Sequence, residues 1–278
     1  MLARRPSVEP RKAADGRAVS RLSERRRTRR RRAFVALFVL LLLLLTATVY
    51  GLQQSAVRIS HVEVFGADAS LSAYATSAMQ GNYFGIIPRD SILFFPEEQI
   101  RADILASHND IAAVSISRNK FTGISVKANY RVPIARWCGL SPTEGVDEYC
   151  YVFDSSGVIF SAVSTTTETV NTFKLYAPLI NDAPEPLRAT ILHTEKFPAV
   201  FDFARQLATL GSPVTSVSIH DGEVDNVLAS GTRVTYVLGR EQDAFTALVS
   251  SRDNFNLSDS SVDYVDLRFD GKVYLKKK

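Results

Sequence analysis

From residue 33 to residue 45 no side chain is polar, and no charge follows until Arg58. Twenty residues over 33–52 would reach about 30 Å as a helix, the hydrocarbon thickness of a bilayer. Lipid offers the backbone no hydrogen-bond partner, so the pattern predicts one transmembrane helix over 33–53. Residues 53–58 read as a short linker, and short alternations follow. Residues 59–65 read as a strand, with Val62 and Val64 on one face and Glu63 on the other. Residues 71–80 read as a short helix ended by Gly81-Asn82, and 88–95 as a loop. A second helix starts at Pro96, which needs no N–H there, and at Glu97-Glu98, which suit the positive helix end; Ile100 and Ile104 share one of its faces. Val114 and Ile116 then alternate with Ser115 and Ser117. Ile124, Val126, Ala128 and Tyr130 alternate with Ser125, Lys127 and Asn129. These are two strands joined by 119–123. Residues 59–131 thus read β-α-α-β-β, two helices on one face of a small three-stranded sheet.

Beyond Pro133 the texture changes. Residues 149–154 and 158–161 flank the hairpin turn Ser155-Ser156-Gly157, and 164–171 is a Ser/Thr-rich loop or edge. A short apolar segment at 176–180 leads to a turn with Pro184 and Pro186. Residues 197–210 form an amphipathic helix with Gly211 as its stop. Strands at 214–219, 223–228 and 233–238 are separated by Asp221-Gly222 and Ser230-Gly231. A helix at 244–252 and two strands, 262–269 and 272–276, meeting at Asp270-Gly271, complete the chain. The pattern over 132–278 predicts a mixed, mostly antiparallel β domain with two or three helices, and the class is α+β.

Charge adds a topology. Seven of residues 25–32 are arginine, immediately before the apolar stretch. Residues 1–32 hold 13 Lys/Arg against 3 Asp/Glu, net +10; the chain holds 33 against 29, which leaves 20 against 26, net −6, for the remainder. A basic block resists translocation, so 1–32 reads as a disordered cytoplasmic tail and the larger part as extracytoplasmic. Binding of anionic lipid or nucleic acid is the other use of such a tail; before a membrane helix, topology setting is the commoner one, and no nucleic-acid partner is expected. A cleaved signal would have a shorter apolar core than this one, although Thr46-Ala47-Thr48 is a weak cleavage site. A soluble core helix would rarely be apolar on every face for five turns.

Cys138 and Cys150 flank the turn-rich stretch 139–145. An extracytoplasmic location permits a disulfide between them; two buried free thiols are the alternative. A zinc site lacks further ligands nearby, the closest histidine being His108. Neither Gly-x-Ser-x-Gly, His-Glu-x-x-His nor Gly-x-x-x-x-Gly-Lys occurs, and nothing calls for a cofactor. His61, His108, His193 and His220 are scattered, and Asp221, Glu223 and Asp225 sit in a hairpin as solvated charges.

The β-α-α-β-β order of 59–131 resembles a POTRA module, a small extracytoplasmic domain that docks other chains. Basic tail, membrane helix, POTRA-like module and terminal mixed-strand domain together resemble the bacterial cell-division family FtsQ/DivIB. The resemblance covers about residues 25–278. Arg131-Val132-Pro133-Ile134-Ala135-Arg136-Trp137 is similar to the family's segment between its two domains, with a Pro-x-Ala-x-Trp pattern. Tyr151-Val152-Phe153-Asp154-Ser155-Ser156-Gly157 is similar to its Asp-x-x-Gly hairpin. Tyr264-Val265-Asp266-Leu267-Arg268 is similar to its Tyr-Ile/Val-Asp-Leu-Arg strand, and is the most specific match. The chain departs from the family in lacking a proline within 119–123, in carrying Tyr130-Arg131 for Glu-Arg, and in the Cys138–Cys150 insertion.

The resemblance implies a non-catalytic bitopic scaffold at the division site. Its outer domain would recruit FtsB/DivIC-like and FtsL-like single-pass proteins and, through them, the septal peptidoglycan synthase. It implies β-augmentation: a partner segment adds a strand beside the last strand of the chain. An unpaired strand edge offers N–H and C=O groups, and alternate side chains add selectivity. The partner-binding residues expected are Arg268, Phe269, Gly271, Val273, Tyr274 and Leu275, with Arg268 meeting a partner carboxylate and Phe269 packing on the added strand. The plainer alternative is that Val273 and Leu275 finish the core, the lysines block aggregation, and Asp266-Arg268 is an ordinary surface ion pair. Two other function classes remain: a membrane-anchored cell-envelope hydrolase, and a POTRA component of a secretion system.

Overall fold

The structure, a computed structural model, describes residues 16–66, 68–142, 149–163, 168–181 and 185–278. Helix α1, Gly16–Leu52, contains the expected membrane segment. Its part Arg27–Leu52 is the one helix among the described residues long and apolar enough to cross a membrane. Thr46 donates its hydroxyl to the Leu42 and Leu43 carbonyls, and Thr48 to that of Leu44, so both polar side chains are satisfied inside the helix, as lipid would require. Residues 16–32, expected to be disordered, are instead the first turns of α1. Arginine is a good helix former, and extending a helix already nucleated by an apolar segment costs little. Residues 1–15 of the expected tail lie outside the described residues.

The expected order of 59–131 is present as β1 (His61–Phe65), α2 (Leu71–Ala78), α3 (Glu97–Ser107) and two long strands, Ile111–Asn119 and Gly123–Tyr130. Between the helices, where a loop was expected, Asn82–Tyr83 (β2) and Ile87–Pro88 (β3) pair as a two-residue antiparallel ladder. The long strands are therefore β4 and β5, and the sheet order is β1-β5-β4. Leu71, Ala75 and Ala78 of α2 and Ile100 and Ile104 of α3 are buried at helical spacing. The chain divides into two compact units, 1–63 with 75–97 and 117–125, and 64–74 with 98–116 and 126–278. The division falls within 59–131 rather than between 131 and 132.

In the first unit the expected linker is a strap. The Ile92 N–H donates to the Val57 carbonyl (2.9 Å) and the Ile59 N–H to the Asp90 carbonyl (2.7 Å). The Arg58 guanidinium meets both Asp90 oxygens at 2.7–3.1 Å. Leu52, the last residue of α1, is buried, and β3 packs against α1. Backbone pairing over so few residues leaves no hydrophobic period, so this strap has no signature in the sequence.

The second unit holds a nine-stranded sheet. Its strands are β6 (Ala135–Trp137), β7 (Tyr151–Phe153), β8 (Ile159–Ala162), β9 (Lys174–Tyr176), β10 (Val214–His220), β11 (Glu223–Leu228), β12 (Arg233–Val237), β13 (Val262–Asp266) and β14 (Tyr274–Lys277). They lie in the order β14-β13-β12-β11-β10-β9-β6-β7-β8. Pairs β6/β9, β9/β10 and β12/β13 are parallel and the other five antiparallel, the mixed, mostly antiparallel sheet expected. Residues 168–171 have no regular structure; 164–167 and Pro184 lie outside the described residues. Helices α4 (Phe197–Thr209) and α5 (Glu241–Ser250) join its core. Val200, Phe203, Ala204 and Leu207 of α4 and Ala244 and Leu248 of α5 are buried with Val217, Ile219, Val224, Val234 and Val265 of the sheet. Phe203 lies 4.2 Å from Tyr236, and Phe197 and Phe201 stack at 5.2 Å beside Phe153 and Phe173. Cys138 and Cys150 are joined in a disulfide. The turn-rich stretch they flank is described as far as Pro142; 143–148 lie outside the described residues.

Candidate partner-binding edge

The three sequence motifs are local anchors before they are anything else. In Asp154-Ser155-Ser156-Gly157, one Asp154 oxygen accepts the Ser156 N–H and hydroxyl and the Val158 N–H (2.6–3.1 Å), while the other accepts the Arg131 guanidinium. Burial pushes the Asp154 carboxyl up, but these donors outweigh it and hold it below the ordinary carboxylate range. Gly157 has φ +79°, and a Cβ there would meet Thr194 Cγ2 at 2.0 Å, so the turn needs glycine. In Pro133-x-Ala135-x-Trp137, Ala135 and Trp137 point from β6 into the core, and the Trp137 indole N–H donates to the Ala177 carbonyl (2.9 Å).

At the end of β13 and just beyond it, Val265 and Leu267 face the core, Asp266 is buried and Arg268 is half-buried. Arg268 closes on Asp266 through its backbone N–H (3.0 Å), Nε (2.9 Å) and Nη2 (2.7 Å). Its Nη1 meets both oxygens of Glu223 at 3.0 Å. These carboxylates raise the Arg268 pKa, and the Arg268 guanidinium in turn holds Asp266 below the ordinary range. The guanidinium expected to meet a partner carboxylate is thus already held by two carboxylates of its own sheet. Glu223 is 45 residues away in sequence, and no local pattern could have named it.

After Arg268 the chain turns through Phe269-Asp270-Gly271-Lys272, closed by the Lys272 N–H on the Phe269 carbonyl (3.2 Å), with Gly271 at φ +63°. The turn brings β14 back antiparallel to β13, pairing Asp266 with Tyr274, Val265 with Leu275 and Tyr264 with Lys276. Val273 and Leu275 pack partly buried against the core. Tyr274 stays 47% exposed and Phe269 52%, their rings edge-on at 5.1 Å. Lys276 pairs with Asp263 at 2.9 Å. Between this turn and α5 lies an open cleft of about 530 Å³, lined by Ala244, Ala247, Ser251, Leu267, Phe269 and Val273 among others. All six residues expected at the edge are therefore on one short hairpin.

The two rims of the sheet differ. At the start of β8, the Ile159 N–H donates to the Ala189 carbonyl (2.9 Å), the Arg188 N–H to the Ile159 carbonyl (2.8 Å), and Val158 bridges Thr190, so the Ile159 end of that rim is covered by the chain itself. Among the described residues no strand pairs with the outer side of β14. No family model matches this sequence, and no curated protein does.

Elsewhere, His220 Nε2 lies 2.9 Å from Asp225, whose other oxygen takes the Thr235 hydroxyl. The hydroxyl bonds the carboxylate and not the imidazole, the wrong order for activating a nucleophile. Among the described residues no three His, Cys, Asp or Glu side chains converge as a metal set.

Proposed function

We propose that this chain is a bitopic scaffold of the bacterial division machinery, of FtsQ/DivIB type, with a POTRA-like module after its membrane helix. Its tail is cytoplasmic and its larger part extracytoplasmic, at the division site. It recruits an FtsB/DivIC-like protein, with an FtsL-like one, by adding a partner strand to β14, and reaches the septal peptidoglycan synthase through them. The observation that carries this reading is the contrast of rims: residues 188–191 cover the Ile159 end of β8, whereas among the described residues no strand covers the outer side of β14. Exposed strand edges are otherwise blunted, because they template unwanted pairing. Phe269 and Tyr274 give the open rim the aromatic anchors that dominate interface energetics. In this reading Arg268 positions β13 for β14, and partner carboxylates meet the exposed Lys272 and Lys277. The Cys138–Cys150 disulfide suits an extracytoplasmic location.

Co-purification from membranes, with the N-terminal tail tagged, tests it. The full chain should retain an FtsB/DivIC-like partner. Removing residues 272–278 should abolish that retention, and Tyr274→Ala should weaken it by about tenfold, the scale of an aromatic anchor worth 1–2 kcal/mol. Tyr274 is half exposed, so its truncation should leave the melting temperature unchanged, which separates binding from folding. Full retention by both variants would refute the edge-strand mechanism.

A further inference from the structure

The end of the first unit next to α1 carries exposed large apolar side chains that nothing in the edge-strand reading uses. Phe84 is 96% exposed and Phe121 84%, with Ile86, Leu93 and Phe94 each more than half exposed. They come from three separate loops, and each loop is tied to α1 or to the strap that follows it. The β2–β3 turn, Tyr83-Phe84-Gly85-Ile86, is closed by the Ile86 N–H on the Tyr83 carbonyl (3.1 Å), and β3 packs against α1. Leu93 and Phe94 directly follow Ile92, which pairs with Val57. Phe121 precedes Thr122, whose carbonyl accepts the Ser60 N–H (2.9 Å). The strap holding them is short and fixed, through Arg58–Asp90 and the buried Leu52.

Phe84 also has φ +50°, a left-handed conformation that a bulky residue adopts only at a cost. The turn needs positive φ at both central positions, yet the first is filled with a fully presented aromatic ring. Basic side chains surround the apolar ones: Lys120 is exposed at the β4–β5 tip, Arg89 lies over the Tyr83 ring and Arg118 over Phe95. Aromatic rings with cations beside them are the composition of a membrane–water interface.

We propose that these three loops form a lipid-binding surface, in which Phe84, Ile86, Leu93, Phe94 and Phe121 enter the headgroup region of the leaflet from which α1 emerges. The inference rests on α1 crossing the membrane. It names phospholipid as the occupant because the loops adjoin the point where the apolar helix ends. Lipid contact at three points fixes the first unit against the bilayer, where a single flexible linker would let it swing.

The full chain in phosphatidylcholine vesicles tests this, using lipid brominated near the headgroup end of its acyl chains or near their tips. Three variants are compared with the parent chain, whose buried Trp137 sets the background: F84W, F121W and, as a marker of the span, L42W. F84W and F121W should lose emission in the headgroup-proximal bromolipid beyond the parent's loss, and less in the tip-labelled one. If L42W is quenched and either loop variant is not, the lipid surface is overturned and the span stands. If none is quenched, the span fails and the inference with it. Shielding of the loop variants from acrylamide without bromolipid quenching would indicate a protein on this surface, and overturns the proposal as well.

Discussion

Asp154 and Asp266 show how single residues carry the turns that shape this domain. Each carboxylate collects donors that the backbone alone would leave unmatched: Asp154 from Ser156, Val158 and Arg131, Asp266 from Arg268. Truncating Asp154 to alanine leaves the Arg131 guanidinium and the Val158 N–H without this acceptor in a part-buried turn. A loss of about 1–3 kcal/mol is expected, read as a lower denaturation midpoint with unchanged m-value. Both carboxyls have folded-state pKa values lowered below their unfolded ones. The stability they contribute is therefore complete above the unfolded value and lost as pH falls through the folded one. Melting temperatures should hold down to about pH 4 and then drop. Asp154→Asn should make that drop shallower, and an unaltered acid slope would show that Asp154 does not carry it. At this scale the sequence was legible where partners are close in the chain, as in Asp266 with Arg268. It was silent where they are distant: Glu223 at Arg268 and Ala177 at Trp137 meet only through sheet order.

At the scale of elements, long periodic segments were readable and short ones were not. Ile100 and Ile104 gave α3, and the alternation of Ile124, Val126 and Ala128 gave β5. Strands of two or three residues, such as β2, β3, β6 and β9, are too short for a period to declare itself. The strap at 53–60 was missed for a related reason, since its order comes from backbone pairing with 90–92. The β13–β14 hairpin was anticipated with its turn at Asp270-Gly271, and the open rim follows from β14 ending the sheet order. The disulfide closes a loop of 12 residues in sequence separation across β6 and β7. Chain-entropy arguments assign a loop of that size about 3 kcal/mol. Reduction, or Cys138→Ala with Cys150→Ala, should lower the thermal midpoint by several degrees while leaving partner retention intact, because the hairpin at β14 does not contain it. A loss of partner binding in parallel with reduction would place the recruiting surface near β6 and β7 instead.

For the whole molecule, a helix apolar enough to cross a bilayer ends on a buried Leu52 and a strap tied by Arg58 and Asp90, and among the described residues no strand covers the outer side of β14. The α+β class and the order of the long elements were legible because the hydrophobic period changes at their boundaries. The compact units were not, because residues 64–74 and 98–116 join the later part of the chain by contacts that sequence order conceals. In the proposed scaffold a partner strand completes the sheet at β14. Hydrogen–deuterium exchange on the full chain in lipid nanodiscs, with and without an FtsB/DivIC-like partner, reads this directly. The β14 amides that point away from β13 should exchange rapidly in the free chain and become protected on binding. Saturating partner with no added protection at those amides would contradict the claim.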